Sequence, residues 1–147
     1  MNLSPPVMVT VAKQFSAAAE RVYDAWLDPT DLGRWMFGPN VRDEHIVRLD
    51  LEPRVGGRFS FVLNRQGTEL DYVGEYLELD QPRLLVFTWG TRGSLPDASR
   101  VIVEIVPDVD GCELTLHHVL APHVADFADQ AAALWRRMLD LLDGILS

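Results

Sequence analysis

The sequence predicts an α+β fold in which a curved antiparallel sheet of about six to seven strands wraps around a long C-terminal helix. Three observations predict it: a first strand is followed by two short helical segments, residues 45–119 alternate as short strands broken by turns, and residues 122–146 are amphipathic. Consecutive strands joined by short turns pair with one another, and such a sheet usually buries one face. Only the C-terminal helix is long enough to cover that face.

The N-terminal part predicts one strand and two helices. Apolar residues alternate over residues 7–15, as in a half-buried strand. Residues 17–27 are then expected to form a helix with Ser16 as its N-cap. Asp28 and Pro29 predict a second helix start, with the aspartate as cap and the proline at the first helical position. These two helices would be the short helices that follow the first strand.

Turn residues separate the strands of the predicted sheet. Strands are expected over residues 58–63, 69–79, 84–89, 101–105 and 113–118, with glycine, proline or asparagine between most of them. In the last of these strands, Leu114, Leu116 and His118 share one face. Residues 72–79 and 84–89 are apolar on both faces, so their inward face stays unassigned. A homodimer interface over the outer face would explain the same pattern.

The C-terminal segment is expected to be one helix over residues 122–146, roughly 37 Å long at 1.5 Å per residue. Its polar face carries more acids than bases, unlike that of a membrane-surface helix. A long helix against a curved sheet leaves space between the two, where small-molecule cavities tend to form. The predicted apolar stripe comprises Val124, Phe127, Ala128, Ala131, Leu134, Trp135, Met138, Leu142 and Ile145.

Size and charge narrow the functional classes. The chain of 147 residues is the size of one domain, and we expect residues 1–147 to form it. Its 22 acids outnumber its 13 Lys and Arg, giving a net charge of −9 and arguing against nucleic-acid or anionic-membrane partners. Cys112 is the only cysteine, so an internal disulfide is excluded. With no signal-like or membrane-spanning segment evident in the sequence, a cytoplasmic location is expected.

Several motifs in order along the chain carry a resemblance to a known family. They are Asp28-Pro29 followed by Leu32 and Trp35, Val55-Gly56-Gly57-Arg58-Phe59, Gly74 before an acidic-apolar strand, Thr88-Trp89 at a strand end, and Leu114-Thr115-Leu116 before His118. With this order the chain resembles the START-like (SRPBCC) superfamily, and within it the homologues of the activator of heat-shock protein 90 ATPase. The resemblance implies the helix-grip fold over nearly the whole chain; it implies no defined reaction.

The C-terminal helix departs from this family's pattern at two positions. The family often carries Gly-Trp in this helix, with a histidine several residues earlier. Here Leu134 precedes Trp135, and Gln130 stands where the histidine is expected. A leucine in place of glycine is expected to fill part of the cavity.

The candidate ligand-binding residues are large side chains expected between the helix and the sheet, together with one histidine. His118 is expected to point inward, where it would either bind a ligand or be a core histidine satisfied by a neighbour. Neighbouring strand positions diverge, so we expect His117, His118 and His123 to hold no metal, and we predict no cofactor. Cys112 lies too far along the strand from His118 for a nucleophile–base pair and is expected to be a small buried hydrophobe. The candidate site comprises Trp35, Phe59, Phe61, Tyr72, Trp89, His118, Trp135 and Met138.

These observations favour a non-catalytic binder of a small hydrophobic or amphipathic molecule. The family name keeps a co-chaperone-like protein-interaction module as an alternative. A cavity enzyme of the cyclase or hydrolase type is the third hypothesis, and it would require an inward acid–base pair. The sequence supplies His118 for such a pair but no identifiable partner, so we expect no catalytic residue.

Overall fold

The structure is a computed structural model that describes residues 6–147. One seven-stranded antiparallel sheet has the spatial order β1-β7-β6-β5-β4-β3-β2, so β2 to β7 form a continuous meander and β1 pairs with the last strand. The strands are β1 (Met8–Phe15), β2 (His45–Leu51), β3 (Arg58–Arg65), β4 (Thr68–Asp80), β5 (Leu84–Thr91), β6 (Ser99–Asp108) and β7 (Gly111–Val119). The predicted α+β helix-grip architecture is confirmed.

Two short helices, α1 (Ala19–Asp24) and α2 (Pro29–Trp35), follow the first strand, and α3 (Ala128–Leu146) ends the chain. Short 3₁₀ turns cover Arg92–Ser94 and Pro122–Phe127. The predicted cap of α2 is confirmed, because Asp28 accepts hydrogen bonds from the backbone N–H groups of Thr30 at 2.8 Å and Asp31 at 3.4 Å. No helix in the described part of the chain is long and apolar enough to cross a membrane.

The prediction that Ser16 caps the first helix is wrong. Helix α1 begins only at Ala19, and its N-cap, Ala18, makes no side-chain capping bond. Phe15 is still paired with Cys112 in the β1–β7 ladder, and Gly111 packs so closely on Phe15 and Ser16 that a Cβ there would lie 2.2 Å from the Phe15 carbonyl oxygen. Ser16 and Ala17 therefore form a bend between the strand and the helix, and the helix begins only after it.

The inward face of β4 and β5, which the sequence leaves open, is the face of Tyr76 and Phe87. Both rings pack against Phe59 of β3, with centroid distances of 5.5 and 5.9 Å. The outer face keeps a smaller buried group outside the main core, namely Val62, Val73 and Val86. The apolar character of both faces therefore reflects a core on one side and individually buried valines on the other.

The C-terminal helix is shorter than predicted, and its apolar stripe is shifted. Residues 122–127 form a 3₁₀ turn, so α3 has 19 residues, or roughly 28 Å at 1.5 Å per residue. The 3₁₀ geometry accompanies a tertiary contact just before it, the hydrogen bond from the Ala121 N–H to Ser99 Oγ at 2.9 Å. Phe127 and Leu134, both placed in the stripe, are 56% and 40% exposed, whereas the omitted Leu139 is fully buried.

Candidate functional site

A cavity of about 340 Å³ lies between α3 and the inner face of the sheet. It is lined from one side by α3 and the preceding 3₁₀ turn, and from the other by strands β3 to β7 and the segment after α2. Its walls are mostly apolar and include Phe37, Tyr72, Trp89, Val124, Leu134, Trp135 and Met138. The cavity is thus where a helix–sheet space was predicted.

Five of the eight predicted site residues line this cavity: Tyr72, Trp89, His118, Trp135 and Met138. The rings of Tyr72 and Trp89 stack with centroids 5.1 Å apart, and Trp135 reaches Trp89 at 6.4 Å. These residues come from three strands and one helix, and the fold brings their side chains around one cavity. Their role in ligand binding stays a prediction.

The other three predicted site residues, Trp35, Phe59 and Phe61, do not line this cavity. Trp35 is fully buried and donates its indole N–H to the Ala25 carbonyl at 3.1 Å. Phe37, which sequence reasoning missed, lines the cavity itself and packs on Phe61 at 5.4 Å. The inner face of the sheet is larger than the cavity, so inward-facing rings are divided between core and cavity wall.

His118 points inward as predicted, and it is 6% exposed. Its Nδ1 accepts a hydrogen bond from the Trp135 indole N–H at 3.0 Å. An indole nitrogen can only donate, so the proton of the neutral imidazole is on Nε2, which is buried with no hydrogen-bond partner among the described residues. Burial lowers the pKa of His118 to about 4, so the ring is neutral at pH 7.

Sequence reasoning missed a cluster of charged residues at the cavity wall. The fully buried carboxylate of Glu44 accepts hydrogen bonds from Arg42 Nη1 at 2.9 Å and from Arg65 Nε and Nη2 at 3.0 and 2.8 Å. It also accepts from the Gly38 N–H at 2.8 Å. Both arginines line the cavity, and they are its only formally charged lining residues in the described chain, histidines counted as neutral. No pattern in the sequence marks these three residues as neighbours.

The remaining histidines and the cysteine form no shared site. His117 lies on the opposite strand face and is hydrogen-bonded to Thr10 Oγ1 at 3.0 Å. His123 lines the cavity from the 3₁₀ turn. Within the described residues no group of three potential metal ligands converges. Cys112 is buried as expected, and its burial raises the pKa of its thiol above the ordinary value.

The two positions that depart from the family pattern both lie at the cavity. Gln130 and Leu134 are lining residues, and Leu134 is 40% exposed. Because its side chain lies partly in solvent, the leucine forms part of the wall without filling the space. About 340 Å³ stays open beside it.

Comparison with known proteins relates this fold to one family. A family model described as Activator of Hsp90 ATPase homolog 1-like protein matches residues 16–147. A comparison with curated proteins finds no match.

Solved structures share the fold at low sequence identity. Protein CV1439 from Chromobacterium violaceum is 22% identical with a TM-score of 0.83, covering 95% of this chain and 96% of its own. Protein NE0264 from Nitrosomonas europaea is 17% identical with a TM-score of 0.80, covering 99% and 97%. The AHSA1-like protein from Aeromonas hydrophila is 20% identical with a TM-score of 0.74, covering 92% and 89%. At these identities the likeness establishes the fold alone.

Proposed function

Since the chain belongs to the family of proteins like the activator of Hsp90 ATPase, START-like proteins of helix-grip fold, we propose that it binds a small amphipathic molecule in the cavity between α3 and the sheet. The observation that carries this proposal is the cavity of about 340 Å³ itself. At about 30 Å³ per water, this volume equals about eleven water molecules, which lies within the usual range of ligand pockets.

The chemistry of the wall supports an apolar or amphipathic ligand. Aromatic rings such as Trp89 and Trp135 offer flat apolar surfaces, which gain free energy when a ligand removes them from water. Few polar groups interrupt these surfaces. Those polar groups would set the orientation of a ligand more than its affinity.

A binding role without catalysis fits the groups at the wall. General acid–base catalysis requires a group that exchanges a proton near neutral pH, usually paired with a second one. Among the described lining residues there is no aspartate, glutamate or cysteine. His118, with its pKa lowered to about 4 by burial, is committed to Trp135 through Nδ1. His123, the other histidine of the described lining, has no carboxylate or thiol beside it in that lining to complete a pair.

The test is a titration with N-phenyl-1-naphthylamine, a neutral dye whose fluorescence rises in apolar surroundings. We expect saturable binding to the wild-type protein and at least about tenfold weaker binding to Ala131→Trp, whose added ring would occupy the cavity. The matched control is Ala133→Trp, two positions along the same helix at an exposed site outside the cavity. This control should bind the dye like the wild type, and thermal melts should show that both variants are folded.

Two results would contradict the proposal. One is the absence of saturable dye binding, or binding that Ala131→Trp and Ala133→Trp change equally. Stimulation of heat-shock protein 90 ATPase without dye binding would then favour the co-chaperone alternative. The other is turnover of an ester or lactone that Ala131→Trp abolishes, which would favour the enzyme alternative.

A further inference from the structure

We infer that the ligand carries one carboxylate group, and that Arg42 and Arg65 bind this group at the wall of the cavity. This inference rests on the proposed function and names the ligand class of the same site. The charge of the cavity wall is opposite in sign to that of the whole chain. The chain has a net charge of −9, yet within the described residues both formally charged groups on the cavity wall are arginines.

The two guanidinium groups are held in fixed positions beside one another. Arg42 and Arg65 bind different oxygens of the Glu44 carboxylate, at 2.9 and 2.8 Å respectively. Arg42 Nη1 also donates to the Met36 carbonyl at 3.0 Å. Because the Glu44 side chain is completely buried, it cannot follow the arginines into solvent, and the pair is preorganised.

Each arginine keeps donor capacity that Glu44 does not use. Arg42 Nη2 contacts only the thioether sulfur of Met138, at 3.5 Å, and a thioether is a weak acceptor. Arg65 binds Glu44 through Nε and Nη2, which leaves Nη1 available to a ligand beside the Tyr72 hydroxyl, the other polar group near this guanidinium. The Arg42 side chain is 19% exposed and that of Arg65 33%, so an incoming ligand can reach both.

The charge balance selects a monoanion. Two guanidinium groups and one carboxylate leave a net charge of +1, which a single ligand carboxylate neutralises. A phosphate monoester, which carries more than one negative charge at neutral pH, would leave an uncompensated charge at a partly buried site. A carboxylate also matches the planar guanidinium fork. The aromatic wall of Trp89 and Trp135 is then available to the apolar body of the ligand.

The test compares decanoate with 1-decanol, which share a chain length but differ in charge. Each compound is used to displace the neutral naphthylamine dye from the wild-type protein. Both molecules are small enough for a cavity with the volume of about eleven water molecules. A hydrogen-bonded charge pair supports a difference of about tenfold or more, so we expect decanoate to displace the dye at concentrations about tenfold lower.

The variant Arg65→Gln should remove most of this preference, measured as the ratio of the decanoate and 1-decanol affinities of the same variant, with a thermal melt to show that it is folded. Arg65→Lys, which keeps the charge and the ion pair with Glu44, is the second variant and should retain an intermediate preference. The matched control is Arg83→Gln, which also removes one positive charge but lies at an exposed ion pair with Asp80, away from the cavity. This control should leave the preference for decanoate unchanged.

Three outcomes would overturn the inference while leaving the proposed function intact. They are equal binding of decanoate and 1-decanol, equal effects of Arg65→Gln and Arg83→Gln, and tighter binding of decyl phosphate than of decanoate. In each case the neutral dye still binds. Loss of dye and decanol binding from the wild-type protein would instead contradict the proposed function.

Discussion

At the scale of single residues, the contact between His118 and Trp135 joins the sheet to the last helix. The indole N–H donates to Nδ1 at 3.0 Å, and this geometry requires an imidazole without a proton on Nδ1. Protonation would place two donors against each other in a buried site. Burial and this contact therefore both oppose the charged form of His118.

This arrangement predicts a pH dependence of stability. The pKa of His118 is about 4 in the folded protein and ordinarily 6.5, so between these values the unfolded chain binds more protons than the folded one. Stability from this group is thus fully present above pH 6.5 and decreases as the pH falls toward 4. We expect the free energy of unfolding of the wild type to fall by about 2 kcal/mol more between pH 7 and pH 5 than that of His118→Phe.

Urea denaturation at the two pH values measures this difference. The quantity compared is the change in unfolding free energy between the two pH values, not its absolute value. His118→Phe also loses the hydrogen bond with Trp135 and is therefore expected to be less stable at every pH. His45→Phe, on the exposed edge strand β2, is the control for the loss of a histidine. A parallel pH dependence of wild type and His118→Phe would show that His118 is protonated equally in both states.

At the scale of elements, the two short helices differ in how they begin. Helix α2 has a side-chain cap in Asp28, whereas α1 has none. An N-cap side chain satisfies backbone N–H groups that have no partner within the helix. A capping residue in the sequence therefore indicates the start of a helix only where the backbone is free to turn at that residue.

We expect Asp28→Ala to lower the free energy of unfolding by about 1 kcal/mol, because it removes the acceptor for the Thr30 and Asp31 N–H groups. Asp28→Asn keeps a capping oxygen and should lose little. Ser16→Ala, which removes a hydroxyl that caps nothing, should leave stability within about 0.5 kcal/mol of the wild type. Equal losses in Asp28→Ala and Ser16→Ala, measured by denaturation, would contradict this account.

The buried face of a strand could be predicted only where the hydrophobic pattern of its own sequence points to one face. Strand β7 alternates strictly toward the core, and in β3 the aromatic residues share one face, so their inward faces were evident from residues such as Phe59, Leu114 and Leu116. Strands β4 and β5 bury side chains on both faces, and pattern alone could not choose between them. The 3₁₀ turn at Pro122–Phe127 accompanies a contact between Ala121 and Ser99, which lie 22 residues apart.

At the scale of the whole molecule, the cavity was predictable as a space but its charged wall was not. Helix length and sheet curvature anticipated the space, and the aromatic pattern anticipated Trp89 and Trp135 in its lining. The cluster of Arg42, Glu44 and Arg65 depends on the register that brings the end of β3 beside the segment before β2. In the sequence, each of the three resembles an ordinary solvent-exposed charged residue of a loop or a strand end.

Trp135 of α3 contacts three other parts of the fold. Its ring stacks on Trp26 at 5.9 Å, approaches Trp89 at 6.4 Å and hydrogen-bonds His118, so it contacts the segment after α1 and strands β5 and β7. It is only 3% exposed, whereas its chain neighbour Leu134 is 40% exposed. Truncating the tryptophan would therefore weaken the docking of α3 on the rest of the fold.

We expect Trp135→Ala to cost about 3–5 kcal/mol of unfolding free energy, the usual range for truncation of a buried tryptophan. Leu134→Ala, one position along the same helix, should cost about 1 kcal/mol or less because much of its side chain is already in water. Chemical denaturation of both variants measures the difference. Because neighbouring helix positions point about 100° apart, similar losses in the two variants would mean that α3 is rotated from the orientation that forms the cavity.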